Sequence, residues 1–285
     1  MVGFGDIEAF FALKERYEKW RKPEPVVTNT AQRFIRLFEG HGVARAQIPR
    51  FFGHNLTIHQ VEDEAELLKA LDEEILEAAA ALFGVRVEWL EGCDEDIYDI
   101  NLFNKAPKAF GDWLDELKIA NNFDTDGWLV ITQRETYDYD GLIIIREQLG
   151  MLRDKPIYRY HFCDLWMFNY WKCRADLAAC VAQSLKRGVF ISGREISEKR
   201  FAKLSTLQFF PNSEKEHTSV SGKRFAAEDL TINPEFFVRG LLDGQLGIDC
   251  AINRWLEYHE QDLMDSGFGD HWQVFNDFVH LNSNA

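Results

Sequence analysis

Between Thr30 and Gly92 the apolar residues recur every three or four positions in short bursts, each closed by a glycine or a capping residue. That pattern predicts short helices with no room for strands. The first spans about Ala31 to Glu39, with Thr30 as N-cap, Phe34, Ile35, Leu37 and Phe38 apolar, and Gly40 and Gly42 stopping it. A second runs from Ala44 to Phe52 and ends at Gly53. Pro49 fits there only in a first turn, because proline lacks an amide donor and clashes with the preceding turn. A third begins at Thr57, whose hydroxyl caps it; the spacing turns Ile58 and Val61 inward and His59, Gln60 and Asp63 outward. An Ala-rich fourth covers about Asp72 to Phe83, and a short last piece holds Val87, Trp89 and Leu90.

The flanking pattern differs. Gly5 to Lys22 reads as one amphipathic helix ended by Pro23 and Pro25, and its aromatics require burial against this chain or a second subunit. Residues 98–125 are polar, with a short helix from Phe110 to Ile119, and mark a linker. From Gly127 the period changes to that of strands: GWLVITQRE, GLIIIREQL and KPIYRYHF, separated by turn residues, make an antiparallel meander. A helix from Leu165 to Lys186, a fourth strand at Val189–Ser192 and a helix from Glu195 to Leu204 follow. Pro211 to Lys223 is a polar loop, and the tail returns to helices near Phe236–Leu242, Ile248–Tyr258 and Trp272–Val279.

The helical segment resembles the DNA-binding domain of the lambda-repressor or Cro type, the XRE family of helix-turn-helix proteins. The resemblance lies in the helix ending at Gly53, the Ile58-x-x-Val61-Glu62 run, the Ala80-Ala81-Leu82-Phe83-Gly84-Val85 stretch and the Glu88-Trp89-Leu90-Glu91-Gly92 closure. It implies a major-groove surface formed by Gln47, Thr57, His59 and Gln60, phosphate contacts from Arg33, Arg36, Arg45 and Arg50, and action as a homodimer on double-stranded DNA. The expected architecture is a predominantly helical α+β multidomain protein. It comprises an N-terminal helix (1–29), a lambda-repressor-like bundle (30–97), the linker (98–125), an α+β domain with a small antiparallel sheet (126–210), and a loop with C-terminal helices (211–285).

Composition changes this picture in one respect. The net charge of −15 disfavours general adhesion to nucleic acid or anionic membrane. The charge is unevenly placed, with nine basic and four acidic residues between Phe11 and Arg50, then fourteen acidic and two basic from Phe51 to Ile100. The basic half is either a phosphate-binding face or the partner of its own acidic half. Glu62, Asp63, Glu64 and Glu66 follow the expected recognition helix, where carboxylates repel a DNA backbone, so an alternative function is an acidic protein-interaction module that no longer binds DNA.

The N-terminus has no signal-peptide core and no run reaches the length of a membrane span, which predicts a cytoplasmic protein. Cys93, Cys163, Cys173, Cys180 and Cys250 are widely spaced without a CxxC pair, so neither a zinc site nor a disulfide framework is expected. Phosphate loops, GxSxG, HExxH and strand-linked GxGxxG motifs are absent, so a non-enzymatic protein without cofactor is expected. His161 and Cys163 would share a strand face and Asp164 would not, which argues for packing over thiol catalysis. The aromatic cluster from Tyr158 to Trp171 is either core or a pocket for a small-molecule effector; Arg159, Trp166, Tyr170 and Arg174 are its candidate lining.

Overall fold

The computed structural model describes residues 30–103, 105–120, 124–132, 138, 140–213 and 215–282, without the side chains of 119, 120 and 279–282. The helix expected over Gly5–Lys22 lies outside those residues.

Helix α1 (Thr30–Gly40) buries Ala31, Phe34, Ile35, Leu37 and Phe38 along one stripe. Its C-terminus closes on Phe210, where a Cβ at Gly40 would lie 2.4 Å from the ring, so only glycine fits. The second predicted helix breaks in two. A 3-10 turn (Arg45–Gln47) leads into α2 (Ile48–Phe51), and Pro49 falls in the first turn of α2, where its missing amide costs no helical hydrogen bond. Then come α3 (Ile58–Glu62), α4 (Glu64–Ala70), α5 (Glu73–Phe83) and α6 (Val87–Glu91). Helix α4 is an addition to the predicted set. Asp63 is extended and ends α3, while its carboxylate accepts the amides of Ala65 and Glu66 at 2.9 and 3.1 Å and starts a new helix.

The remaining chain runs β1 (Ile100–Asn101), α7 (Pro107–Ala120), β2 (Thr125–Ile131), β3 (Gly141–Leu152), β4 (Lys155–Trp166), α8 (Trp171–Lys186), β5 (Phe190–Glu195), α9 (Glu198–Leu204) and β6 (Lys223–Ala226). Helices α10 (Asp229–Ile232), α11 (Pro234–Val238), α12 (Gly244–Glu260) and α13 (Trp272–Asn282) complete it. Among the described residues no helix is long and apolar enough to cross a membrane.

The strands form a single six-stranded mixed sheet of order β1-β4-β3-β2-β5-β6. The expected meander is its centre, but the expectation of a small antiparallel sheet is incorrect: β1 joins β4 and β5 joins β2 in parallel. The segment read as a linker supplies β1 and α7, whose Phe110 and Leu114 are buried against the sheet. β4 also runs on to Trp166, so the helix expected from Leu165 begins only at Trp171.

Both sheet faces are buried, which is why β2 and β3 read as near-continuous apolar runs. On one face Trp128, Val130, Leu142, Ile144, Tyr160 and Phe162 share a core with Phe34, Phe38, Phe83 and Trp89 of the preceding helices. On the other, Leu129, Ile131, Ile143 and Ile145 pack with α7, α8 and α12. The chain is therefore helices on two faces of one sheet. Residues 30–97 are not a freestanding bundle, because their apolar stripe is completed by the sheet.

Candidate functional site

Helix α3 begins with a reciprocal cap. The amide of Gln60 donates to the Thr57 hydroxyl at 3.3 Å, and Gln60 Oε1 accepts the amide of Thr57 at 2.9 Å. This arrangement, legible in the Thr-x-x-Gln spacing, fixes how the helix leaves the surface. Thr57, Ile58, His59 and Glu62 are exposed, and Val61 is the anchor underneath. Ile58 is 58% exposed, against the expectation that it faces inward with Val61. The five-residue helix is too short to bury a stripe, and the cap places Ile58 in the first turn, beyond the core.

The predicted phosphate contacts divide. Arg33 is buried: its guanidinium donates to the carbonyls of Trp89 and Asp94, each at 2.8 Å, and pairs with Glu95 at 3.0 Å, closing the C-terminus of α6. Arg36 donates to Glu216 at 2.7 Å and to the carbonyl of Gln208 at 3.3 Å, with its guanidinium over the Trp89 and Phe210 rings. Arg33 is thus a buried fastener, and Arg36, whose side chain is 39% exposed, is engaged within the chain. Gln47 is likewise occupied, accepting the amide of Ala44 at 3.1 Å. Lys69 pairs with Glu66 at 2.7 Å and Arg86 with Asp94 at 3.0 Å.

Arg45 and Arg50 are different. Among the described residues no hydrogen bond or ion pair holds either, and they lie on the 3-10 turn and α2, both packed against α3. Arg50 is exposed and Arg45 half-buried, at the rim of a cavity of about 210 Å³ shared with Arg36, Glu39 and Glu64. The acidic run is also largely engaged: Asp63 caps α4, Glu64 accepts a hydrogen bond from Gln32 at 2.8 Å, and Glu66 holds Lys69. Glu62 remains exposed beside the α3 edge.

The residues expected to line an effector pocket are dispersed. Arg159 donates to the carbonyl of Leu82 at 2.8 Å and pairs with Glu147 at 3.4 Å, pinning the end of α5 to the sheet. Trp166 is 1% exposed in the core. Tyr170 stands at the N-cap of α8 with its ring against Trp171. Arg174 is 1% exposed and donates to the carbonyls of Phe168 and Phe237, each at 2.6 Å, and to Asn169 Oδ1 at 3.2 Å. The helix expected to align Trp166 and Tyr170 starts after both, and the four side chains are engaged separately.

The histidine–cysteine arrangement offers no thiolate. His161 Nε2 lies 2.9 Å from Glu147, and Cys163 is fully buried, which pushes its thiol well above the usual range. Asp164 is the extra residue of a bulge in β4, at φ 47°, and its carboxylate accepts the Phe103 amide at 2.7 Å. Burial raises its pKa to about 6. Among the described residues no group of three or more His, Cys, Asp or Glu is placed to hold a metal ion.

Sequence order gives no sign of a second basic feature. Arg146, Arg194 and Arg224 are far apart in the chain, and strands β3, β5 and β6 bring them to one cavity. The available signal was a single arginine within each strand, legible as convergence only once the strand order is known. Comparison with family models, characterised proteins and solved structures gives no match.

Proposed function

We propose that the protein is a DNA-binding regulator that sets the Thr57–His59 edge of α3 into the major groove, with Arg45 and Arg50 on flanking phosphates. The observation carrying this reading is selective: among the described residues the other Arg and Lys side chains of the helical segment sit in ion pairs, and the two left unpaired flank a helix whose N-terminal edge is exposed. The exposed His59 ring offers a hydrogen-bonding group to base edges, and Ile58 offers an apolar contact to a thymine methyl, while Thr57 fixes the helix start through its cap. The lambda-repressor-like pattern of the sequence agrees with this docking mode, in which a homodimer spans two half-sites.

Two phosphate contacts per protomer are few, so non-specific affinity is weak and its salt slope shallow, about −2 per protomer. Titrating a labelled random-sequence duplex between low and moderate salt tests this. Binding that weakens with that slope and vanishes in the Arg45→Glu/Arg50→Glu double variant supports the reading. Binding unchanged in the double variant, or none at low salt, overturns it.

A second reading is favoured by Ile58 itself. A large apolar side chain 58% exposed beside Glu62 suits a basic protein partner with an apolar anchor, as in an interaction module without DNA binding. Absence of duplex binding at low salt, with retained fold, selects this alternative.

A further inference from the structure

A cavity of about 300 Å³ opens on the sheet between β2, β3, β5, β6 and the loop before β6, lined by Trp128, Arg146, Arg194, Asn212, Ser221 and Arg224 among others. Its basic character runs against the net charge of −15 of the whole chain. Arg194 and Arg224 are register partners on β5 and β6, and Arg146 reaches the same face from β3. Each position is set by strand pairing, so the convergence is a property of the sheet rather than of mobile side chains.

The three guanidinium groups differ in how they are held. Arg146 is clamped: its Nε donates to Asp126 at 2.5 Å, a second nitrogen bonds the same carboxylate, and its charge lies 4.2 Å from the Trp128 ring centroid and 4.6 Å from that of Tyr158. Arg194 donates one nitrogen to the Ser192 hydroxyl and to the Gly193 carbonyl, at 2.9 Å for the latter, leaving its remaining donors unassigned among the described residues. Arg224 is exposed and has no hydrogen bond or ion pair among them. Burial, together with the neighbouring charges of Arg224 and Arg146, lowers the pKa of Arg194, an effect that Asp126 opposes only in part.

The loop side is fixed with equal care. A Cβ at Gly222 would lie 2.0 Å from the carbonyl oxygen of Glu195, so glycine is required for the loop to close against β5. Arg200 donates to the carbonyl of Ser221 at 2.9 Å and holds the adjoining residue. Ser221 and Asn212 add neutral hydrogen-bonding groups to the rim.

We propose that this cavity is a binding site for a dianionic phosphate group, free or carried by a small organic molecule. Three guanidinium charges against the single carboxylate of Asp126 leave two positive charges, the complement of a phosphate monoester and in excess of what a carboxylate or phosphodiester balances. Planar guanidinium groups meeting from several directions match the tetrahedral array of phosphate oxygens. The volume is at the lower end of those that hold small organic ligands. The site is independent of the surface assigned to DNA, since no residue is shared between them.

The test is calorimetric titration of the full chain with inorganic phosphate, a nucleoside 5′-monophosphate and acetate at fixed ionic strength. Saturable binding of a phosphate species but not acetate is expected, strengthening as pH rises through the second phosphate ionisation, near 6 for the monoester and higher for inorganic phosphate. Arg194→Gln and Arg224→Gln should each weaken it about tenfold or more. Arg224 is exposed, so its variant keeps the fold and remains informative if the Arg194 variant does not. Tighter binding of the monoester assigns the site to a phosphorylated small molecule, and equal binding assigns it to free phosphate. No saturable phosphate binding by the intact chain, or affinity unchanged in folded Arg224→Gln, overturns the proposal.

Discussion

Tyr98 donates its hydroxyl to Nε2 of His41 across 3.1 Å, while Nδ1 of the same ring faces the carbonyl of Leu37 at 2.8 Å. A carbonyl only accepts, so Nδ1 carries the proton and the ring is the neutral tautomer. Phe83 stacks on it at 4.2 Å, and Tyr160 and Phe210 close the remaining sides. His41 thus joins the end of α1 to the sheet as an uncharged polar wedge.

Burial, aided by the nearby charge of Arg159, lowers the His41 pKa from 6.5 to about 3. The folded state therefore binds fewer protons than the unfolded chain in this window. The stability this neutral ring confers is complete above pH 6.5 and is lost as pH falls toward 3, with a limiting slope of about 1.4 kcal/mol per pH unit. Urea unfolding of wild type and His41→Gln across that range checks it. Equal slopes for the two proteins would remove His41 from the account.

Asp140 acts with the opposite sign. It is 1% exposed, and burial raises its pKa from 3.8 to about 7, partly opposed by the Phe168 amide and by Arg174. Here the folded state holds the extra proton, so stability falls as pH rises from 3.8 to about 7. Asp140→Asn removes this dependence, and the variant's stability relative to wild type should rise with pH by at most about 1.4 kcal/mol per unit. A pH-independent difference between the two would contradict the assignment.

Arg174 is a structural cation. Its guanidinium gathers the carbonyls of Phe168, Phe237 and Arg239 into one knot, and Arg174→Met leaves those buried acceptors unpaired. A loss of about 3–5 kcal/mol in unfolding free energy is expected. A loss under about 1 kcal/mol would show that the knot is dispensable and return Arg174 to the pool of ligand-binding candidates.

Gly222→Ala forces a methyl onto the Glu195 carbonyl. Displacement of the loop should cost about 1–3 kcal/mol and weaken phosphate binding together with stability. Thermal melting and titration on the same preparation measure both, and an unperturbed melt is the adverse result.

The meander, the Thr57 cap and the Ala-rich α5 were legible because each is written in residues close in sequence. β1, with two residues, and β6, with four, are too short to carry a period, and no local pattern announces that β5 lies parallel to β2. Ile58 misled because i, i+3 spacing fixes a shared face only when the helix is long enough to have one. Arg33 reads as a surface cation in any composition-based count, yet the orphan carbonyls at the end of α6 draw it into the interior. The arginine cavity was invisible for the same reason as the sheet order: its members meet only after long-range pairing.

The shared core between the first helices and the sheet has a consequence for how this chain can be cut or recombined. Residues 30–97 expressed alone would present His41 and Trp89 without Tyr160 and Phe210 against them, and should aggregate or lack a cooperative melt. Grafting that segment onto a foreign scaffold would therefore require carrying along the strand surface that completes it, so the exposed edge of α3 and the sheet behind it are inherited as a single mechanical piece.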